Sequence, residues 1–510
     1  MQQLTGLDAA FLALETPAVY GHVGSVCILD PATAPEPLTL PRLEQVVASR
    51  LHLIPPFRRR LVEVPLGLDQ PYWIEDPDFD IEYHVRALNL PAPGDDHQLT
   101  DQVARLHSRP LDRTRPLWEL YLIGGLADDR LAVYTKVHHA AIDGVSGTEL
   151  LAALLDQSPA GRDLEPAPPW TGEEVPPPLV LLARSAVALA GQPARAVRLS
   201  GQLLRSLAAL AASPDRPRLP VLDPLLGADS PDVLPGAAGL RAPTTPFNRS
   251  ISPHRRWAFR QLSLVEVKAV RSASGLSVND VVMAVCAGAL RRWLTDHDAL
   301  PEQPLVACVP VSIRSQTQQG TMGNQVSVML APLPTNEADP ADRLRATHEA
   351  MRAAKEQHGA LPAGLLADVT QFAMPALAGQ AARLSARLRL VERISPFNLF
   401  IANVPGPAGP LYYAGADVIA IYPLSAIADG QGLNITVLGY HGSLFFGLLA
   451  DRELVPDLEQ LADYLVAELH VLRSTLPAAS PPAPARPMKP WRTGSAGAGA
   501  AAPAAAATRD

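Results

Sequence analysis

Residues 137–144 read "VHHAAIDG": two adjacent histidines, then Asp143 four residues after the second, then Gly144. The stretch closes the β-rich run "RLAVYTKVHH", so His138 and His139 stand at a strand end. Consecutive strand residues point to opposite faces, and the two rings cannot both aim at one small site without local distortion. One is expected to be reactive and the other to pack or support it. Gly144 lets the backbone bend closely. A buried Asp143 needs a partner, because an unpaired charge in the interior is costly. The layout reads as one reactive histidine held at a turn that a structural aspartate fixes. The competing reading is a strand end with two histidines and no chemistry. A metal site needs further convergent ligands, and with no HExxH and no Cys/His cluster nearby none is expected. A serine-hydrolase reading finds no G-x-S-x-G elbow, and "GVSG" at 144–147 does not supply one.

Outward from this stretch, strand-like and helix-like patterns alternate. "GHVGSVCILD" and "LWELYLIGGL" read as strands, the latter parted from "RLAVYTKVHH" by the turn-like "ADD". "LPRLEQVVASRLHLIPPFRRRLV" reads as a helix running into the next segment. In "SGTELLAALLD", Ser146 and Glu149 have capping-box spacing, and Leu150, Leu151, Leu154 and Leu155 mark an apolar helical face. From about residue 157 to 245 the chain turns rich in Pro, Ala and Leu. There Arg195, Arg198 and Arg205 fall on one helical face, and Leu199, Leu203, Leu207 and Leu210 on another. A basic helix over 194–212 lies either on a lipid surface or packed on its own protein with its arginines in water. Beyond it, "SVNDVVMAVCAGALRRWL" predicts a helix. "PLVACVPVSIR", "NQVSVMLAPLP", "FNLFIANVPGP" and "NITVLGYHGSLFFGLLAD" predict strands, the last with a hairpin at "HGS", and a helix follows over 457–472. The expected division is a first lobe over 1–170, a crossover linker over 171–245, a second lobe over 246–475, and an Ala/Pro-rich tail over 476–510 that cannot bury a core.

The totals fit that plan. A chain of 510 residues is long enough for two lobes, and 47% hydrophobic with 18% charged residues is a folded composition. A net charge of -8 offers no basic excess to phosphate, so nucleic acid is not an expected partner. Cys27, Cys286 and Cys308 are widely spaced and odd in number, which argues against a disulfide framework and for a reducing compartment. The N-terminus has no basic n-region, so no signal peptide is expected, and no apolar run reaches membrane-spanning length.

"HHAAIDG" matches the HHxxxDG signature of a large acyltransferase superfamily. Within it, the chain resembles the bacterial wax ester synthase/diacylglycerol acyltransferase family. "LTGLDAAFLALETPAVYGHVGSVCILDP" at the start, "RPLWEL" (115–120), "SVNDVVMAV" (277–285), "VPVSIR" (309–314) and "NVPGP" (403–407) occur in that family's order and spacing. The resemblance covers about residues 3–470.

It implies an α/β, two-lobed chloramphenicol-acetyltransferase-like fold with mixed sheets and a tunnel between the lobes. It also implies transfer of a fatty acyl group from acyl-CoA, as co-substrate, to the hydroxyl of diacylglycerol or a long-chain alcohol, with no resident cofactor. By the family motif His139 is the general base, His138 is supporting, Gly144 serves the turn, and Asp143 is a strut paired with Arg314. Asn279 stands either as an oxyanion donor or as a helix cap or other scaffold. Pro116 and Trp118 are expected to pack, although an acyl-pocket role for Trp118 stays open. "FRRRL" at 57–61 is either a solvated helix end or a contact for CoA phosphates. The expected location is cytoplasmic, peripheral to the inner membrane or to lipid inclusions. Two rivals remain: a condensation-type enzyme that takes its thioester from a carrier protein, and a non-catalytic lipid-binding protein on the same fold.

Overall fold

The computed structural model describes residues 1–142, 147–165, 170–186, 242–312, 326–359, 395–407 and 409–476. Two six-stranded mixed sheets dominate it. The first runs, edge to edge, Tyr412–Tyr413, Ala416–Leu424, His22–Asp30, Leu131–His138, Trp118–Gly124 and Val85–Asn89. The second runs Val326–Leu333, Leu305–Ser312, Leu399–Val404, Leu433–Tyr440, Ser443–Asp451 and Arg255–Ser263. A small third sheet joins Gln2–Gln3, Tyr72–Glu75 and Arg59–Val62.

Trp118–Gly124 is buried at every position, and Leu131–His138 at all but its first. Both strands are covered on two faces, which is why their sequences read as near-continuous apolar runs rather than as clean alternation. They pair antiparallel with Trp118 opposite Val137, and His22 stands opposite His138 on the other neighbour. The "HGS" turn is a tight hairpin. His441 and Gly442 carry φ of 43° and 81°, the left-handed geometry that two-residue hairpin loops require.

A boundary near residue 246 does not divide the two sheets. Ala416–Leu424, from the second half of the chain, pairs with His22–Asp30 and so belongs to the first sheet. The sequence reading contains no strand there, and its Pro423 argues against a central one. Proline is tolerated because the two-residue edge strand covers only Ala416 and Asp417, which leaves Pro423 on an open side. Gly447 of the second sheet lies against that side, where any side chain would strike the Pro423 carbonyl.

The second lobe is built round the helix Val278–Asp296. Ser277 caps it in a reciprocal box with Asp280. The cap reading of Asn279 is therefore corrected: Asn279 lies inside the first turn, and Ser277 does the capping. The run Val281–Leu290 is buried throughout. Gly288 allows helix Leu458–Thr475 to approach, since a Cβ there would overlap Glu468, which pairs with Arg343. The lobes meet where the helix Asp96–His107 packs on the strand Arg255–Ser263. The buried Arg255 binds Ser108 through its amide at 3.0 Å and the Ala18 carbonyl through its guanidinium.

"FRRRL" does begin at a helix end, since Phe57 and Arg58 close the 3-10 helix Pro55–Arg58, but its arginines are not left in solvent. Arg59 and Arg60 begin a strand, and Arg58, Arg59 and Arg60 pair with Glu75 and Asp76 at 3.0–3.4 Å. Carboxylates at the end of the neighbouring strand therefore pair with all three guanidinium groups. The basic helix over 194–212, the Ser146 cap and the tail from 477 lie outside the described residues. Among the described residues no single helix is long and apolar enough to cross a membrane.

Candidate active site

His138 is the last residue of its strand, and His139 opens a 3-10 turn, His139–Ile142. The change of backbone geometry between them separates the two rings, as the strand argument requires. The His138 ring is buried and fully engaged. Its Nδ1 accepts the Ala140 amide at 3.0 Å, and its Nε2 lies 3.0 Å from Glu15 Oε1. Because Nδ1 must be the acceptor, the ring proton sits on Nε2 and is donated to Glu15.

Glu15 is held on every side. It accepts from the Gly21 amide at 3.0 Å and from Arg113 at 2.7 Å, while Arg113 also donates to the Leu12 carbonyl at 2.7 Å. Burial opposes its charge, but the hydrogen bonds from His138, Arg113 and the Gly21 amide outweigh that and hold its carboxyl at about 2.

His139 is half-buried and differently placed. Its backbone amide donates to the Gly21 carbonyl at 2.7 Å, and its ring stacks on Phe11 with centroids 4.2 Å apart. Phe11 comes from the helix Gly6–Ala13, capped by Thr5, which lies over the turn. Burial pushes the His139 pKa down to about 4, although its own backbone pulls it part of the way back. The imidazole is therefore neutral at neutral pH. Its Nδ1 is enclosed without a hydrogen-bond partner among the described residues, which leaves Nε2 as the nitrogen available for proton transfer.

Behind the motif lies a buried polar layer. His22 and His107 stand edge-on to one another at 6.0 Å, and His107 Nδ1 meets the Tyr134 hydroxyl at 2.8 Å. Burial drives both pKa values well below the usual histidine range. Lys136, wholly buried, spends its ammonium on the Leu106 and Arg109 carbonyls at 3.1 and 2.6 Å and on Glu119 at 3.5 Å.

Among the other sequence candidates, Trp118 packs face to face between Phe57 and His84 at 4.3 and 4.4 Å. Its Nε1 donates to the Phe57 carbonyl at 2.8 Å, and Pro116 is buried just before it. The side chain of Asn279 is tied to the "NVPGP" block, its Oδ1 accepting from Asn403 Nδ2 at 3.2 Å. Pro405, Gly406 and Pro407 of that block line a cleft of about 560 Å³ with Leu151, Leu155 and Asp156. The Asp156 carboxylate is buried there between Arg50 at 2.6 Å and Arg162 at 3.2 Å. Asp143, Gly144 and Arg314 lie outside the described residues. No group of three or more His, Cys, Asp or Glu converges as a metal site among the described residues.

Sequence reasoning missed Glu15, Phe11 and Gly21 as site residues. All three lie in the N-terminal block quoted for the family resemblance, but nothing local says that this block folds back over residues 138–140.

Comparison with known proteins shows the family. Residues 4–282 match the wax ester synthase/diacylglycerol acyltransferase catalytic domain, and residues 322–473 match the C-terminal domain of the same family. A Mycobacterium tuberculosis protein named as a diacylglycerol O-acyltransferase is 37% identical over 91% of this chain and 88% of its own length. A Mycobacterium bovis protein named likewise is 36% identical over 92% of this chain and 98% of its own. The solved wax ester synthase/diacylglycerol acyltransferase of Marinobacter aquaeolei superimposes with a TM-score of 0.63 at 32% identity, covering 93% of this chain and 99% of that one. A trichothecene 15-O-acetyltransferase of Fusarium sporotrichioides shares the fold at TM-score 0.55 and 12% identity, covering 92% of this chain and 94% of its own. The fold and the histidine turn define an acyltransferase of the two-lobed chloramphenicol-acetyltransferase-like class. Within it, the chain belongs to the wax ester synthase/diacylglycerol acyltransferase family.

Proposed function

We propose that the protein moves a fatty acyl group from acyl-CoA to the hydroxyl of diacylglycerol, giving triacylglycerol, or of a long-chain alcohol, giving a wax ester, with His139 as general base. One observation carries the assignment of the base. Of the two motif histidines, His138 has both ring nitrogens committed, whereas His139 is neutral and its Nε2 has no hydrogen-bond partner among the described residues. His139 Nε2 takes the acceptor hydroxyl proton as the oxygen bonds to the thioester carbon. The tetrahedral intermediate then expels the CoA thiolate, and His139 returns the proton to sulfur. No enzyme-bound acyl group is needed.

Asn279 supports the oxyanion in this scheme. Its Oδ1 is taken by Asn403, so its amide N–H groups remain to donate. By the family resemblance, Asp143 is assigned as a strut to Arg314 and Gly144 to the turn. The acceptors are insoluble lipids, which fits a cytoplasmic enzyme peripheral to the inner membrane or to lipid inclusions. Relatives named as diacylglycerol O-acyltransferases support this reading over a carrier-protein-dependent one.

The test is CoA release from palmitoyl-CoA with diacylglycerol, hexadecanol or a short alcohol, in parallel with the same acyl group on a carrier protein. His139→Ala is expected to lower turnover by about 10²–10⁴-fold with the protein still folded. Full turnover in that variant refutes the base assignment, and turnover only from the carrier favours the condensation-type rival.

A further inference from the structure

A closed hydrogen-bond circuit joins the N-terminal segment to the histidine turn. One oxygen of Glu15 receives both the Gly21 amide and the His138 Nε2–H, each at 3.0 Å. The Gly21 carbonyl receives the His139 amide at 2.7 Å. His138 Nδ1 receives the Ala140 amide at 3.0 Å, and this bond shapes the first step of the 3-10 turn. Each bond sets the next. The Glu15 carboxylate demands a proton on His138 Nε2, that tautomer leaves a lone pair on Nδ1, and the lone pair captures the amide of the residue that follows His139. His139 is thus gripped by its own amide from one side and through Ala140 from the other. The grip has little slack, because the strand end at Gly21 has no room even for a Cβ beside the His138 ring. Arg113, bonded to both Glu15 and the Leu12 carbonyl, keeps the carboxylate aimed inward.

We propose that Glu15 is a positioning residue for acyl transfer: it fixes the tautomer of His138 and, through Gly21 and Ala140, the place of the His139 ring. This rests on His139 being the base. Glu15 touches no reacting atom, so its removal acts on the chemical step and leaves acyl-CoA binding alone.

Three variants of the full chain test this: Glu15→Ala, Glu15→Gln and His139→Ala. Each is assayed for kcat and KM with palmitoyl-CoA and hexadecanol, and for folding by urea titration. Glu15→Ala is expected to lose about 10–100-fold in kcat at unchanged KM, the scale of a small misplacement of a catalytic group. Glu15→Gln keeps an oxygen that accepts from Gly21 and His138, and is expected to restore most of that loss. A purely scaffolding role moves the urea midpoint and leaves kcat per folded molecule alone. Unchanged kcat in folded Glu15→Ala overturns the proposal, as does a loss in KM alone, or an equal loss in Glu15→Gln. If His139→Ala keeps its turnover, the base assignment fails first. If His139→Ala is inactive while Glu15→Ala is not slowed, the positioning proposal fails by itself.

Discussion

Gly21→Ala isolates the geometry of the site. The added Cβ would stand 2.9 Å from His138 Nε2 and 3.0 Å from Cε1. Carbon contacts settle at about 3.5–4.0 Å, so the ring must move by roughly half an ångström or more. That stretches a 3.0 Å hydrogen bond to Glu15 toward the limit at which it stops being one. Overpacking of this kind costs about 1–3 kcal/mol, within the roughly 5–15 kcal/mol that holds an ordinary domain folded. The protein is therefore expected to fold. A shift approaching 1 Å at the catalytic turn costs on the order of 10²-fold in rate. The comparison is Gly24→Ala, where the Cβ would meet the Thr135 backbone oxygen at 2.3 Å. A backbone atom cannot swing aside, so that substitution parts two strands and lowers stability more than Gly21→Ala does. Urea midpoints and kcat per folded molecule, read by CoA release, separate the two effects. A folded Gly21→Ala enzyme with kcat within about twofold of the parent refutes the claim that the His138 ring position governs the step.

Two further predictions concern ionisation. His139 at about 4 is neutral far below the usual histidine range, so kcat/KM is expected to stay level from pH 7 to 5.5 and to fall only as pH drops through about 4. A histidine of ordinary pKa would be about 90% protonated at pH 5.5 and lose about tenfold, and a loss of that size in folded enzyme contradicts the assignment. Folding has its own limb. His22, His107 and His139 all have lowered folded pKa values, so the unfolded chain binds more protons below about 6.5. Stability is therefore present above that pH and is lost as pH falls toward 4, which urea midpoints at pH 7 and 5 will show. Lys136→Met leaves Glu119 and two carbonyls facing a side chain with no donor. A loss of about 3–5 kcal/mol is expected, and a change below about 1 kcal/mol would mean that the ammonium is not what binds helix Asp96–His107 to the sheet.

Local features of the sequence were enough for most elements and for the motif. The "HGS" hairpin was legible because glycine and its neighbour must adopt left-handed geometry. The helix Val278–Asp296 was legible from its apolar residues at helical spacing, whereas its cap, Ser277 with Asp280, is defined by hydrogen bonds and not by the Asn279 that the sequence offered as one candidate. The pairing of the "FRRRL" arginines was not legible because their partners, Glu75 and Asp76, lie at and just past the end of a different strand.

By itself, the sequence determined that His138 and His139 could not share one role, since adjacent residues at a strand end diverge. The order of its blocks also determined the acyltransferase family. Only the tertiary structure decided which ring is committed, because the atoms that occupy His138 belong to Glu15 and to the turn itself. It alone placed Phe11 on His139 and Ala416–Leu424 in the first sheet. These are contacts between segments separated by more than a hundred residues in the chain. Short-range periodicity carries no information about such pairs, and the fold creates them by bringing the N-terminal segment back over the turn that it holds.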